Sequence, residues 1–181
     1  MTTRHVATPR LRRVPLAGMA LFIASESIFF LSIVMAYLAL RSAGVADAKT
    51  ELDVPRTAFF SLFLFASSAT MTVAERRGSR LWLAITAALG LVFIAGQGLE
   101  YLRLLGGRIA PSTGMFGTTF FTLTGLHGLH VLVGLVAITG LFIASRGRVS
   151  DTAWEAVAWY WHFVDGVWVV VFSVVYLGTL L

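Results

Sequence analysis

Five long apolar stretches determine what this chain can fold into. They lie at about residues 16–40, 57–74, 81–102, 112–145 and 153–180. A helix needs roughly 20 mostly apolar residues to cross a bilayer, and the connections here are too short to hold a soluble domain. The composition agrees, because 57% of the 181 residues are hydrophobic and 13% are charged. The sequence therefore predicts an all-α membrane protein, with one bundle of five transmembrane helices as a single domain over residues 1–181.

The basic residues indicate the orientation of this bundle. With five spans, the N-terminal segment and the turns at 75–80 and 146–151 lie on one side, and they hold nine of the 14 Lys and Arg residues. Because cytoplasmic loops are enriched in Lys and Arg, we expect the N-terminus in the cytoplasm and the C-terminus outside. Residues 1–15 are then a mature N-terminus rather than a signal peptide. The scattered positive charge does not indicate a nucleic-acid partner.

The last span carries three ionisable residues on one helical face. Steps of seven and three residues separate Glu155, His162 and Asp165. A charge at the bilayer centre costs roughly 2.5–3.5 kcal/mol, so such groups normally face protein or water. We therefore expect this face to contact protein, with Asp165 as the partner of His162. On the same span a heptad of tryptophans predicts a packing surface: Trp154, Trp161 and Trp168.

Two carboxyl groups in other spans are further candidates. Glu26 lies about 15 Å along the first span, near mid-bilayer. It is either a protonated carboxyl that hydrogen-bonds within the bundle or one that exchanges protons or contacts a partner, because burial disfavours the anion. Glu100 lies at the outer end of the third span, where the simplest interpretation is an interfacial carboxyl near Arg103.

The fourth span contains two histidines, His127 and His130, about 60° apart around a helix. Nearby small residues would let helices approach closely while both histidines hydrogen-bond across the contact, namely Gly125, Gly128 and Gly134. Two other chemistries stay open: a haem held by two histidines, for instance His130 and His162, and a copper or zinc site with three convergent ligands. The chain has no cysteine, so thiolate sites are excluded. The glycines favour the structural role.

Four segments resemble, in the same order, subunit III of the haem–copper cytochrome c oxidases. The first is Phe22-Ile23-Ala24-Ser25-Glu26 followed by Phe29-Phe30. The second is Gln97 with Glu100-Tyr101. The third runs from Gly117-Thr118-Thr119-Phe120-Phe121 through Thr124-Gly125-Leu126-His127-Gly128-Leu129-His130-Val131. The fourth is Ala158-Trp159-Tyr160-Trp161-His162-Phe163-Val164-Asp165 with Val167-Trp168. They extend from residue 22 to residue 168, so the resemblance runs along nearly the whole chain.

This resemblance implies a function that composition alone does not. Family members bind no haem or copper themselves, since partner subunits hold both. They pack against the catalytic subunit I, hold phospholipids and sustain proton delivery. For this chain the resemblance implies a non-catalytic subunit of a proton-pumping oxidase in the bacterial plasma membrane. Its partners would be subunits I and II, membrane lipids and, at a larger scale, a respiratory supercomplex. Glu26 would be the buried carboxyl, and other groups would connect the bundle, namely Glu100, His127, His130, Glu155, His162 and Asp165.

The chain differs from longer family members in two ways. It starts at their third helix, whereas their two additional helices form a lipid-filled cleft with the rest; five-helix members are common in bacteria. Gly166 stands where a branched apolar residue is usual, which would permit either a closer helix contact or a bound lipid chain.

Other functions compete with this one. Within the family they are the corresponding subunit of a quinol oxidase and an accessory protein of nitric oxide reductase. Outside it they are a membrane b-type cytochrome and a small ion transporter, and the lack of internal repeats disfavours the transporter.

Overall fold

The structure, a computed structural model, describes residues 9–40, 52–106 and 114–179. Within these ranges the regular structure is entirely helical. The helices are α1 (Pro9–Leu40), α2 (Val54–Arg77), α3 (Arg80–Leu105), α4 (Met115–Ala144) and α5 (Asp151–Val175), followed by a 3₁₀ turn at Leu177–Thr179. All five are long and apolar enough to cross a membrane. The prediction of five transmembrane helices is confirmed, whereas their orientation stays a prediction.

The predicted bounds differ most at the two ends of the chain. Helix α1 begins at Pro9 rather than near residue 16, which suits proline because the first helical position needs no N–H donor. Helix α5 ends at Val175 rather than continuing to residue 180, and Gly178, a poor helix former, lies in the 3₁₀ turn beyond it. The predicted start of the fourth span, at 112, falls outside the described residues.

Local side-chain chemistry explains several helix ends. Asp53 caps α2, because its Oδ1 accepts a hydrogen bond from the Arg56 N–H. Ser150 caps α5 in the same way, with the Ala153 N–H as donor. Helix α2 ends at Gly78, whose φ of 57° is a left-handed conformation that glycine adopts without a steric cost. These signals place α2 and α3 side by side as a hairpin.

The five helices form a closed ring. Going around it, α1 contacts α5, α5 contacts α2, α2 contacts α3, α3 contacts α4, and α4 contacts α1. Helices α4 and α5 also contact each other across the ring. Burial is uneven: in the most apolar window of each helix, 39% of the residues are buried in α5 but only 11% in α1. Helix α5 is therefore the most enclosed of the five helices. Helix α1 packs against α4 and α5 with one face and leaves most of its surface exposed.

Two tryptophans of α5 fill the interior of the ring. Trp161 lies against Gly90 of α3 and Gly134 of α4, and its indole N–H donates to Ser67 Oγ of α2 at 3.0 Å. One heptad further on, Trp168 is fully buried. Trp154, the third member, is also buried. The predicted packing role of this heptad is confirmed.

Candidate functional site: polar groups of the bundle

Glu26 and His130 form a pair between α1 and α4. Glu26 Oε2 lies 3.2 Å from His130 Nε2, while His130 Nδ1 lies 2.8 Å from the Leu126 carbonyl oxygen. The Tyr160 hydroxyl of α5 donates to the His130 carbonyl at 3.0 Å. About 23% of the Glu26 side chain and 15% of the His130 side chain stay exposed on the surface of this chain. The pair therefore joins α1 to α4, α5 bonds to the His130 backbone beside it, and the pair remains partly accessible from outside the bundle.

His127 does not hydrogen-bond across the contact, so that part of the histidine prediction is wrong. The ring is completely buried, and neither of its nitrogens has a hydrogen-bond partner within the described part of the chain. It stacks instead on Trp168, with ring centroids 4.8 Å apart, and meets the edge of Phe93 at 6.0 Å. The Trp168 N–H donates to Ser61 Oγ at 2.7 Å. His127 thus serves as an aromatic ring in the packing layer around Trp168.

The glycines of α4 do not share one role. A Cβ built on Gly134 would lie 2.8 Å from Trp161 Cε3, closer than real contacts allow, so this glycine permits the close approach that the sequence predicts. Gly128 has no neighbouring atom within 4 Å of such a Cβ, and the prediction is wrong there. Gly90 of α3 packs as tightly on Trp161 as Gly134 does. Gly90 was not identified from the sequence, because no residue near a glycine in the sequence indicates which bulky side chain from another helix will pack against it.

The polar face of α5 turns toward α2, as predicted for a protein contact, but its partners differ from the predicted ones. His162 Nδ1 lies 2.6 Å from Ser68 Oγ, and its Nε2 lies 3.4 Å from Thr72 Oγ1. Asp165 lies beside Ser68 as well, and its Oδ1 is buried with no hydrogen-bond partner among the residues described, His162 included. The expected Asp165–His162 pair is therefore replaced by hydroxyls of the facing helix. Sequence could not reveal this, because Ser and Thr are common in transmembrane helices.

Replacing Ser68 by alanine is expected to destabilise the chain by about 1–2 kcal/mol, since it leaves the part-buried His162 Nδ1 unpaired. Thr72→Ala removes only the longer contact and should have a smaller effect. Thermal unfolding of the purified assembly would measure both. A larger loss for Asp165→Ala than for Ser68→Ala would instead favour the Asp165–His162 pair.

Glu155 lies at the beginning of the same face. Together with residues at the end of α2 it lines a polar cavity of about 330 Å³, whose walls are Glu75, Arg76, Gly78, Asp151, Trp154 and Glu155. The charges of Glu75 and Glu155 are close enough to repel each other. This end of the α2–α5 contact is therefore an open polar cavity with three carboxyl groups, whereas His162 lies in a part-buried contact with Ser68.

Glu100 belongs to a buried polar cluster at the opposite end of the bundle. Its residue surface is only 1% exposed, so the carboxyl is buried within the bundle, whereas its depth relative to the membrane interface stays a prediction. It does pair with Arg103, at 2.7 Å, and its Oε1 accepts a hydrogen bond from the Asp53 N–H at 3.3 Å. Glu100 thereby ties α3 to the beginning of α2. Beside it, the Tyr101 hydroxyl lies 2.6 Å from Thr124 Oγ1 of α4.

The histidines do not form the arrangement that a shared haem needs. His130 bonds toward α1, whereas His162 bonds toward α2, so their rings serve different helix contacts. In the ranges that the structure covers, no three His, Asp or Glu side chains converge as ligands of a metal ion would. The arrangement is suited to holding helices together, with Glu26 and His130 joining α1 to α4.

Gly166 faces an open groove rather than a close helix contact. A Cβ built there would meet no atom within 4 Å. The groove lies between α1 and α5, has a volume of about 390 Å³, and includes Ser27, Phe30 and Phe163 among its walls. Of the two interpretations that the sequence left open, a closer helix contact is therefore wrong within this chain.

Comparison with known proteins identifies the family. The sequence profile described as cytochrome c oxidase subunit III matches residues 52–179, which include α2 to α5. A protein named cytochrome c oxidase subunit 3 from Synechocystis sp. is 38% identical, over 96% of this chain and 78% of that protein. A protein named probable cytochrome c oxidase subunit 3 from Mycobacterium leprae is 38% identical, over 88% and 85%.

A third relative, cytochrome c oxidase subunit 3 from Thermostichus vulcanus, is 36% identical over 90% of this chain and 86% of its own. All three relatives are named as cytochrome c oxidase subunit 3, one of them as probable, and all are matched over most of their length. The five helices and the four sequence segments agree with this assignment. The chain belongs to the cytochrome c oxidase subunit III family and is a membrane subunit of a haem–copper oxidase.

Proposed function

We propose that this chain supports the catalytic subunit I of a bacterial respiratory oxidase in the plasma membrane. It stabilises that subunit, assists its proton uptake and holds membrane lipid. Haem and copper reside in the partner subunits, subunit II included, and the chain itself performs no redox step. The names of the relatives favour cytochrome c as electron donor over a quinol, and favour an oxidase over a nitric oxide reductase.

The Glu26–His130 pair carries this proposal. The two ionisable side chains lie 3.2 Å apart and stay partly exposed. At bilayer depth, contact of these groups with lipid would cost free energy, because hydrocarbon satisfies no hydrogen bond. A neighbouring protein subunit would cover them and could exchange a proton with them. His162 and Glu100 instead bond to residues of α2 or its N-cap and so hold helices of the bundle together.

Glu26→Gln is expected to leave the oxidase assembled, with unchanged haem spectra, and to slow proton-linked turnover severalfold. The amide keeps the shape of the carboxyl but cannot release a proton. Steady-state oxygen consumption and proton uptake by the purified, reconstituted oxidase would measure this. Ser27→Ala is the matched control, because the Ser27 hydroxyl donates to the Ile23 carbonyl of its own helix and to no other helix in the described ranges.

Three results would contradict the proposal. The first is purification of the chain without haem-bearing subunits under mild detergent. The second is loss of haem from the assembly in Glu26→Gln, which would indicate a ligand role. The third is turnover equal to that of Ser27→Ala, which would leave the pair a purely structural role. An oxidase that accepts electrons only from quinol would favour the alternative donor.

A further inference from the structure

An apolar groove runs along the outer surface between α3 and α4. It consists of two adjoining cavities of about 260 and 460 Å³ that share Ala87, Leu91 and Thr139. Its walls include the exposed residues Leu91 and Val136. No other described element covers it. The groove therefore needs an apolar occupant from the membrane or from another protein.

The length of the groove fits a lipid chain better than a helix. On α4 its walls extend from Leu132 to Ile143, or about 16 Å at 1.5 Å per residue. The hydrocarbon core of a bilayer is about 30 Å thick, so the groove covers one leaflet. A transmembrane helix docked here would need a contact surface that extends across both leaflets. An acyl chain occupies one leaflet, so a groove of this length is sufficient for it.

A cation lies at the membrane-surface end of the groove. Arg80 begins α3, and its guanidinium carbon lies 4.5 Å from the ring centre of Phe142, a wall residue of the groove. The Arg80 Nε is buried and has no hydrogen-bond partner among the residues that the structure describes. Beyond it, Arg146 and Arg148 are exposed in the turn after α4. The acidic residues of this side instead line the separate cavity between α2 and α5.

We propose that the α3–α4 groove binds an anionic phospholipid, with one acyl chain along the groove and its phosphate at Arg80. A guanidinium binds phosphate through several N–H donors in one plane, and the ring of Phe142 holds it in place. The exposed arginines of the neighbouring turn add attraction for a negatively charged headgroup. This site lies on another face than the groove beside Gly166. The proposal specifies where this chain would hold a lipid and of which class, and it rests on the proposed function.

The test uses the purified oxidase that contains this chain, stripped of loosely bound lipid in detergent. The complex is then incubated with phosphatidylglycerol or with phosphatidylcholine of the same chains, and native mass spectrometry counts the lipids retained. We expect the wild-type complex to retain one more phosphatidylglycerol than the Gly140→Leu variant. Gly140 lies in the wall of the groove, and a Cβ built there meets no atom within 4 Å, so a leucine side chain can begin there and extend into the groove.

Two further variants make the test specific. Gly98→Leu is the control, because Gly98 is exposed toward the other end of α3 and also has open space around it; its lipid count should equal that of wild type. Arg80→Gln should keep the groove but lower the preference for phosphatidylglycerol over phosphatidylcholine about tenfold, since the phosphate loses a charged donor.

Each contrary outcome overturns the proposal. An unchanged lipid count in Gly140→Leu, or an unchanged preference in Arg80→Gln, would show that no such site exists. Loss of a protein subunit from Gly140→Leu, with lipid unchanged, would assign the groove to a partner helix. Absence of the catalytic subunit from the wild-type preparation would contradict the proposed function instead, and the subunit composition in the same spectra distinguishes the two failures.

Discussion

Replacing Trp168 by alanine is expected to lower the free energy of unfolding by about 3–5 kcal/mol. Trp168 has no exposed surface, and it contacts α4 through His127 and α3 through Phe93, whose ring centroid is 5.0 Å away. Its removal leaves a cavity among three helices that cannot close without moving them. Ser61 would keep its bond to the Thr57 carbonyl but lose its indole donor, and His127 would lose the ring on which it stacks.

Trp168→Phe separates packing from hydrogen bonding. It keeps an aromatic ring against His127 but removes the N–H that donates to Ser61, so the expected loss is nearer about 1–2 kcal/mol. Thermal unfolding of the purified assembly, followed by calorimetry, would compare the two variants. Equal midpoints for Trp168→Ala and wild type would mean that this layer does not hold the bundle together.

Gly134→Val is expected to destabilise the bundle by about 2–3 kcal/mol through overpacking. The new Cβ would lie 2.8 Å from Trp161 Cε3 and 3.3 Å from a ring atom of Tyr160. Trp161 cannot move away easily, because the other edge of its ring packs against Gly90 and its indole N–H donates to Ser67 Oγ. Helices α4 and α5 must therefore separate.

Gly128→Val is the matched control, since it lies on the same helix with no atom within 4 Å of its added Cβ. It should change the unfolding temperature little. The combination of Gly134→Val with Trp161→Phe should recover part of the loss, because the smaller ring makes room for the added methyl groups. Strictly additive losses in the double variant would place the cause of the Gly134 effect elsewhere.

Much of this architecture can be predicted from sequence, because membrane crossing imposes a strong length and polarity rule on each helix. The five spans and the tryptophan heptad of α5 follow from that rule and from periodicity. The protein-facing direction of His162 and Asp165 follows from the cost of placing them in lipid. Each of these inferences needs only one helix at a time.

The pairings between helices are harder to predict. Ser68 was not foreseen as the partner of His162, and the same holds for Gly90, whose tryptophan is 71 residues away along the chain. Such contacts depend on how each helix is rotated about its axis and on which neighbour it meets. Hydrophobic periodicity does not define that rotation when a helix is apolar on all sides. His127 illustrates the point, since its polar ring is used for stacking alone.

The one-sided attachment of α1 has a consequence for the order of assembly. Helices α2 to α5 contact one another in an unbroken series, and the indoles of α5 lie among α2, α3 and α4. Helices α2 to α5 can therefore form a closed four-helix unit before α1 packs against it. The contact between Glu26 and His130 then joins α1 to that unit. In detergent we expect α1 to dissociate first on heating, so that its amides exchange with heavy water well before those of the other four spans.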